Sequence, residues 1–299
     1  MKKYVIVSDS CCDLSKELRE KYEIDYIPMH FLYDGKDMNA DLDWEELSFK
    51  DFYGEMRNGK RMTTSQVNAS QYREAFEKYI ADGYDILSIS CSSALSNSVK
   101  ASYVVRDELL KNYPDSKIVC VDSLNSSYGL GLLCLRAAEL RAEGKTIEET
   151  AAWLEANKGT MNQECTPEKL TYLKQAGRVS AASAFFGGLL NVKPIIISDV
   201  NGHNAAIEKV KGRVTSLKRI AERVKEEFVD VPHQKVYVVH ADSEADAETL
   251  KGFVAEALAD KNVTIESGLI GPIVGASAGP GTLAVYFYGK AVTYDSKAK

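Results

Sequence analysis

Short apolar runs alternate with helical patterns along the first half of the chain. Three runs have the length and composition of buried strands: YVIV at 4–7, YDILSIS at 84–90 and KIVCVD at 117–122. Helical patterns follow these runs, one opening near Asp13 and the others covering about 95–110 and 125–143. Strands that alternate with helices are typical of a parallel sheet covered on both faces. We therefore predict a three-layer α/β/α domain over residues 1–160.

Two further features complete this first domain. The segment IDYIPMHFLY at 24–33 predicts a strand that runs into a hairpin or loop at Asp34 and Gly35. Thr146 and Glu149 form a capping box that starts a helix across AAWLEANK. We expect a linker after this helix, near residues 159–163.

The second half of the chain has a different pattern. Thr166 with Pro167 predicts the start of a helix and Gly177 its end. The segment 194–210 predicts a hairpin, because Asn201-Gly202 favours the positive φ angles of a tight turn. The remaining elements are strands at 235–240, 263–270 and 282–289 and a helix at about 243–259. We predict a two-layer α+β domain with a mixed sheet over residues 161–299.

Composition limits the partners and the compartment. The 299 residues carry a formal net charge of -6 and no basic block, so neither a nucleic acid nor an anionic membrane is expected as a partner. Six cysteines without CxxC spacing and four scattered histidines predict no metal site. The apolar run before Asp9 is too short for a signal peptide, and the apolar segment 181–192 is shorter than the roughly 18 residues of a membrane span. We expect a cytoplasmic protein that is not an integral membrane protein.

Hydroxyl-rich clusters mark the candidate site. Three of them follow predicted strands, SDS at 8–10, SCSS at 90–93 and DSLNSS at 122–127, and a fourth, TTSQ at 63–66, lies between two helical stretches. Open α/β sheets bind ligands beyond the carboxyl ends of their strands. Neutral hydrogen-bond donors with few charges nearby suit a small anion better than a metal.

Other chemistries have weaker signals. No GxxxxGK[ST] loop is present, and Gly129 and Gly131 inside a helical pattern favour close helix packing over ligand approach. No GxSxG elbow exists, and His240 is the one histidine well placed to enter a cleft, although a structural role is favoured. Asp13 is interpreted as a helix N-cap and not as the partner of Asp9 in acid–base catalysis.

Two further segments, at 11–12 and 275–281, contain residues with special chemistry or backbone freedom. Cys11 and Cys12 fit small residues that fill the turn after the first strand. The glycine-rich segment 275–281 predicts an extended loop whose backbone N–H groups could approach a ligand, and a plain turn between strands is equally compatible with it.

Seven motifs in order resemble the DegV family of bacterial fatty-acid-binding proteins. They are SDSCCDL at 8–14, TSQ at 64–66, SSALSNS at 92–98, LTYLKQAGRVS at 170–180, VKGR at 210–213, HAD at 240–242 and GASAGPG at 275–281. Any one of them is a weak signal. Together they are specific, and they span nearly the whole chain.

The resemblance implies a protein that binds one long-chain fatty acid. The tail would lie in an apolar tunnel of the first domain, and the carboxylate near the domain interface. Thr64 and Ser93 match the residues that hold the carboxylate in this family, and we add Ser65, Ser96, Ser277 and Arg178 to the predicted site. The resemblance also implies a lipid-binding subunit of fatty acid kinase, with a separate ATP-binding subunit making the acyl phosphate. The missing nucleotide loop fits that division of labour.

Two departures from the family pattern bear on the head-group site. Many relatives carry His where this chain has Ser277, and Arg where it has Lys211. These exchanges predict weaker carboxylate recognition, or recognition that depends more on Arg178 or Arg213. Two other functions stay open: an enzyme acting on a small carboxylate or phosphate with His240 as base, and a lipid-sensing regulatory protein without chemistry.

Overall fold

The computed structural model describes residues 3–180 and 191–298. In the first half the strands are β1 (Tyr4–Asp9), β2 (Ile24–Ile27), β3 (His30–Tyr33), β4 (Lys36–Asn39), β5 (Thr63–Ser65), β6 (Asp85–Ser90) and β7 (Ile118–Asp122). The helices are α1 (Lys16–Tyr22), α2 (Phe49–Arg57), α3 (Ala69–Ala81), α4 (Ser98–Asn112), α5 (Tyr128–Ala142) and α6 (Ile147–Asn157).

The second half has the strands β8 (Met161–Thr166), β9 (Val179–Ser180), β10 (Val192–Ser198), β11 (Asn204–Lys211), β12 (Val236–His240), β13 (Ile265–Leu269) and β14 (Leu283–Tyr288). Its described helices are α7 (Leu170–Ala176), α8 (Arg213–Glu227), α9 (Glu244–Ala257) and α10 (Pro272–Ala278).

A four-stranded parallel sheet in the order β2-β1-β6-β7 forms the centre of the first half. Ile6 of β1 pairs with Ile24 on one side and Leu87 on the other, and every residue of β6 is buried. The helices α3, α4, α5 and α6 contact its strands. The predicted α/β class with a parallel sheet is therefore confirmed. Mostly apolar strands of a parallel sheet are covered by helices because their side chains are excluded from water.

A separate seven-stranded mixed sheet forms the second half, in the order β13-β12-β14-β8-β10-β11-β9. β12 and β13 run parallel, whereas β14 runs antiparallel to both β12 and β8. The helices α8 and α9 pack on each other and on this sheet, and Leu217, Val238 and Leu250 are fully buried between them. The predicted α+β half with a mixed sheet is confirmed.

The strands β3, β4 and β5 form a separate three-stranded sheet in the order β4-β3-β5. The predicted turn at Asp34 and Gly35 is confirmed, with φ of 46° and 76°, and it joins β3 to β4. Thr63–Ser65 forms β5 and pairs with β3, so the TTSQ cluster has a strand of its own, which the sequence analysis did not predict. Three residues are too few to show a period-two pattern.

The predicted linker near 159–163 is wrong. A 3-10 turn at Lys158–Thr160 leads directly into β8, which crosses the middle of the mixed sheet. The helix predicted to start at Thr166 begins instead at Leu170, because β8 continues through Thr166. Gly177 ends this helix as predicted, with φ of 67°. The division into domains at residue 160 stays a prediction.

Two predictions about local backbone are also wrong. Asp13 is not a helix N-cap: it has φ of 54°, and the hydroxyl of Ser15 caps α1 by accepting the N–H of Leu18. Residues 275–278 are not an extended loop, since they belong to α10, which starts with Pro272 at its first turn. Proline favours that position because its missing N–H has no helical partner there.

The apolar segment 181–192 lies mostly outside the described residues, which resume at Asn191. Among the residues that are described, no helix has the length and apolarity needed to cross a membrane.

Candidate ligand-binding site

A cavity of about 430 Å³ opens beyond the carboxyl ends of β1 and β6. Its lining includes all six residues of the predicted site. They are Thr64, Ser65, Ser93, Ser96, Arg178 and Ser277. The structure therefore brings together side chains from both halves of the chain, at the sheet edge where the sequence placed the hydroxyl clusters.

These six residues reach the cavity from four different parts of the fold. Thr64 and Ser65 lie on β5, and Ser93 and Ser96 lie in the loop between β6 and α4. Ser277 lies in the last turn of α10, and Arg178 follows α7.

Several hydroxyls at the cavity are free to bind a ligand. Within the described residues, the hydroxyls of Thr64, Ser93 and Ser277 form no hydrogen bond to protein, and all three residues are partly exposed. Ser96 differs, because its Oγ lies 2.9 Å from Ser98 Oγ and accepts the Ser98 N–H at 3.2 Å. Ser96 therefore shapes the loop, whereas the three free hydroxyls can donate to an anion.

The loop that carries Ser93 is held by both halves of the chain. The backbone N–H of Ser93 donates to Asp122 Oδ1 at 3.2 Å. Ser92 Oγ donates to the carbonyl of Gly202 at 2.9 Å, which ties the loop to the turn between β10 and β11. That turn confirms the predicted hairpin, although Gly202 has positive φ and Asn201 does not. The hairpin of the second half therefore positions the hydroxyl of the first.

Close packing at a glycine sets the position of Ser277. A Cβ at Gly275 would lie 2.1 Å from the hydroxyl oxygen of Tyr53, so only glycine lets α10 approach α2 at this depth. The Tyr53 hydroxyl donates to the carbonyl of Ile270 at 2.8 Å. These contacts fix the helix that presents Ser277 to the cavity.

The two arginines proposed as alternative carboxylate partners differ in position. Arg178 is exposed at the cavity, and its Nη1 donates to the carbonyl of Ala176 at 2.6 Å. Arg213 does not line the cavity; it donates to Asp246 Oδ2 at 2.9 Å and to the carbonyl of Gly281 at 2.6 Å. Arg213 therefore stabilises the turn before β14, and Arg178 is the arginine available to a ligand.

The sequence analysis missed part of the lining. The polar residues it did not assign are Gln66, Asn97, Ser126 and Asn204, and the apolar ones include Met29, Leu95, Ile273 and Val274. Ser126 lies in the DSLNSS cluster and could have been found there. The apolar residues carry no signal that separates a cavity wall from the core.

Asp9 holds two loops of the site together. Its carboxylate accepts the N–H of Cys11 at 3.0 Å and the N–H of Cys91 at 2.9 Å, and burial raises its pKa to about 6. Cys11 and Cys12 are buried, in agreement with their interpretation as small residues filling this turn. Asp9 is therefore a structural acceptor, not a catalytic acid.

Asp13 accepts a hydrogen bond from Ser127 Oγ at 2.6 Å, and burial raises its pKa from the usual 3.8 to about 7. A carboxyl with a raised pKa stabilises the fold below about pH 4 and loses that contribution as the pH rises through 7. As the pH rises from about 4 to 7, we expect the free energy of unfolding of the Asp13→Asn variant to increase relative to that of the parent chain. Any free-energy cost of replacing the carboxyl group with an amide is the same at every pH, because the amide does not titrate.

Denaturant unfolding of both proteins at pH 4 to 8 measures this difference. The exposed Asp115→Asn variant is the control. A difference in unfolding free energy between the Asp13→Asn variant and the parent that does not change with pH would contradict the burial argument.

His240 is a structural residue. Its Nδ1 accepts the N–H of Ser243 at 3.3 Å, and its ring packs edge-on against Phe49 with centroids 6.1 Å apart. Burial lowers its pKa, and it is absent from the described lining of the cavity.

The glycines of α5 match the predicted role in close helix packing, because a Cβ at Gly131 would lie 2.7 Å from the carbonyl oxygen of Cys12.

Comparison with known protein families identifies the family to which this chain belongs. The profile described as uncharacterised protein, DegV family, matches residues 3–290. This chain belongs to the DegV family. A DegV domain-containing protein of Clostridium perfringens is 37% identical over 289 residues, which cover 97% of this chain and 98% of that protein.

Solved structures of the DegV family share the fold of this chain. A DegV family protein from Thermus thermophilus, described by its fatty acid binding, has a TM-score of 0.84 at 25% identity. DegV of Bacillus subtilis, described as a fatty acid binding protein, has a TM-score of 0.81 at 27% identity. Each comparison covers 97% of this chain and 100% of the other.

Proposed function

We propose that this chain binds one long-chain fatty acid, with the carboxylate on the hydroxyls of Thr64 and Ser93. The observation that carries the proposal is the convergence of free hydroxyls from both halves of the chain on one cavity. Ser65, Ser277 and Arg178 line the same cavity and complete the head-group site, and Ser96 shapes the loop around it. The fatty acids bound by DegV relatives support the same ligand class.

The apolar lining supports the binding of an alkyl chain. Met29, Leu95 and Ile273 contribute side chains to the cavity, and its volume of about 430 Å³ falls within the range of about 300–1,000 Å³ typical of ligand pockets. Burying a chain of about 16 carbons at ~0.8 kcal/mol per methylene gives a gross gain near 12 kcal/mol, from which association costs are subtracted. The tail therefore sets affinity and the hydroxyls set orientation.

We further propose that the bound carboxylate is presented to an ATP-binding fatty acid kinase subunit in the cytoplasm. A carboxylate oxygen forms a bond to the γ-phosphorus of ATP, the bond to the β,γ-bridging oxygen breaks, and ADP leaves. The chain has no phosphate-cradling GxxxxGK[ST] loop of its own, which supports a separate nucleotide-binding partner. In this proposal residues 1–160 and 161–299 are two domains, and the head-group site lies between them.

Mass spectrometry of the lipid carried through purification tests the binding proposal. We expect about one fatty acid per chain from protein expressed in a bacterial host, because burial of the alkyl chain against the apolar side chains of the cavity favours the bound state. Delipidated protein should take up added C14 to C18 acids. A chain that is purified empty and also takes up none of these acids would contradict the proposal.

The kinase role has its own test. We expect neither ATP hydrolysis nor acyl phosphate from the isolated chain, and acyl phosphate formation when a fatty acid kinase ATP-binding subunit is added. Acyl phosphate is measured as the hydroxamate formed with hydroxylamine. The partner subunit without this chain is the control, and equal product in that control would exclude the presenting role.

A further inference from the structure

A second cavity adjoins the head-group site. It has a volume of about 350 Å³ and shares Thr64, Arg178 and Ser277 with the cavity described above. Its other walls come from the segment before β5 and from α7, and they include Arg61 and Thr171. A group bonded to a carboxylate on Thr64 can therefore extend from the first cavity into the second.

The charges of this second cavity are all positive. Lys60, Arg61 and Arg178 contribute to its described lining, and no aspartate or glutamate does. Lys60 is paired with Asp34 at 2.5 Å, so its charge is already compensated. Arg61 and Arg178 donate only to backbone carbonyls, of Gln175 at 3.4 Å and of Ala176 at 2.6 Å, among the described residues.

Two guanidinium groups that have no carboxylate partner among the described residues favour an anionic ligand in a protein whose formal net charge is -6. A guanidinium presents planar, paired donors that match phosphate oxygens. The hydroxyl of Thr171, which has no hydrogen-bond partner in the described residues, adds a neutral donor to the same cavity. This set suits a phosphate better than a carboxylate, since a phosphate offers three acceptor oxygens.

We propose that the second cavity binds the phosphate group of an acyl phosphate, with Arg61 as a direct phosphate ligand. The inference rests on the proposed fatty-acid function and names the product that this site can retain. The acyl carbonyl oxygen stays on Thr64 and Ser93 while the phosphate takes the place beyond Thr64. In this complex the phosphoryl group has already been transferred from ATP. The acyl carbon is joined through the bridging oxygen to phosphorus, and ADP has left.

Two lipid probes with the same chain length test the inference. The first is palmitic acid, and the second is the methylene phosphonate analogue of palmitoyl phosphate, in which CH₂ replaces the bridging oxygen and prevents hydrolysis. Affinities of delipidated parent chain and of the Arg61→Gln variant are measured for both probes. Arg61 does not line the first cavity, so its replacement should leave palmitic acid affinity unchanged.

We expect Arg61→Gln to weaken binding of the phosphonate by about ten- to hundredfold, the range of one lost hydrogen bond to a charged group. Arg61→Lys should recover part of the loss because it keeps the charge without the planar fork. Arg73→Gln removes a partly exposed arginine that is paired with Glu108 outside both cavities, and it is the control.

The outcomes separate this inference from the function on which it rests. Selective loss of phosphonate binding in Arg61→Gln supports the phosphate site. Equal phosphonate affinity in parent and Arg61→Gln, with palmitic acid bound normally, overturns the phosphate site alone. A parent chain that binds neither probe overturns the fatty-acid function itself.

Discussion

Removing both hydroxyls of the proposed head-group site, in a Thr64→Ala and Ser93→Ala double variant, is expected to weaken fatty-acid binding by about hundred- to ten-thousandfold. A hydrogen bond to a charged group contributes ~1.5–3 kcal/mol, or roughly ten- to hundredfold in affinity for each residue. Because neither hydroxyl bonds to protein in the described residues, its removal leaves no internal partner unsatisfied. The fold should therefore be unchanged.

Fluorescence competition with a labelled fatty acid measures the affinities of the two single variants and the double variant. Thr215→Ala, which removes an exposed threonine hydroxyl on α8, is the control for hydroxyl loss away from the cavity. A double variant that binds as tightly as the parent would place the carboxylate elsewhere. If the losses of the single variants do not add, the two hydroxyls hold the same carboxylate cooperatively.

The Gly202→Ala substitution is expected to reduce both stability and binding. Gly202 has φ of 78°, and a Cβ there would lie 2.2 Å from Ser92 Oγ and 3.0 Å from the Cα of Leu124. The left-handed conformation costs a residue with a Cβ roughly 1–2 kcal/mol, and overpacking adds about 1–3 kcal/mol. The displaced neighbour, Ser92, precedes Ser93 in the chain, so we expect the proposed head-group site to move with it.

Gly35→Ala provides the matched control for this experiment. Gly35 has almost the same backbone angle, with φ of 76°, and a Cβ there would meet nothing within 4 Å. Its replacement should therefore cost only the conformational part and leave fatty-acid affinity intact. Unfolding free energies and binding constants of both variants separate strain from packing. Equal effects of the two substitutions would show that the hairpin does not position the site.

The sequence by itself determined the features that depend on local pattern and local backbone. Short, mostly apolar runs predicted β1, β6 and β7, since strands of this composition are typical of a parallel sheet that is covered by helices, and every residue of β6 is buried. Gly35, Gly177 and Gly202 marked two hairpin turns and a helix end because each has a positive φ that residues with a Cβ disfavour. The hydroxyl clusters placed the candidate site at the carboxyl edge of the sheet.

Long-range contacts determined what the local pattern could not. Asn162 and Gln163 were interpreted as part of a linker near 159–163, yet with Glu164 they form a polar stretch in a central strand of the mixed sheet. It can be buried because Arg223 pairs with Glu164 at 2.7 Å and Tyr286 donates to Gln163 at 3.2 Å. These partners are distant in sequence, so no window around the strand reveals them.

Contacts between residues distant in sequence also explain why α10 and the arrangement of the site were not predicted. Gly275 looked like part of a loop, but the hydroxyl of Tyr53 fills the space beside it and makes glycine the residue that a close helix contact requires. The motifs named Thr64, Ser93 and Ser277 as candidates, and only the packing of α10 and of the β10–β11 hairpin against the first half brought their hydroxyls to one cavity. Residue types and turns are set locally, whereas a cavity exists only where distant elements meet.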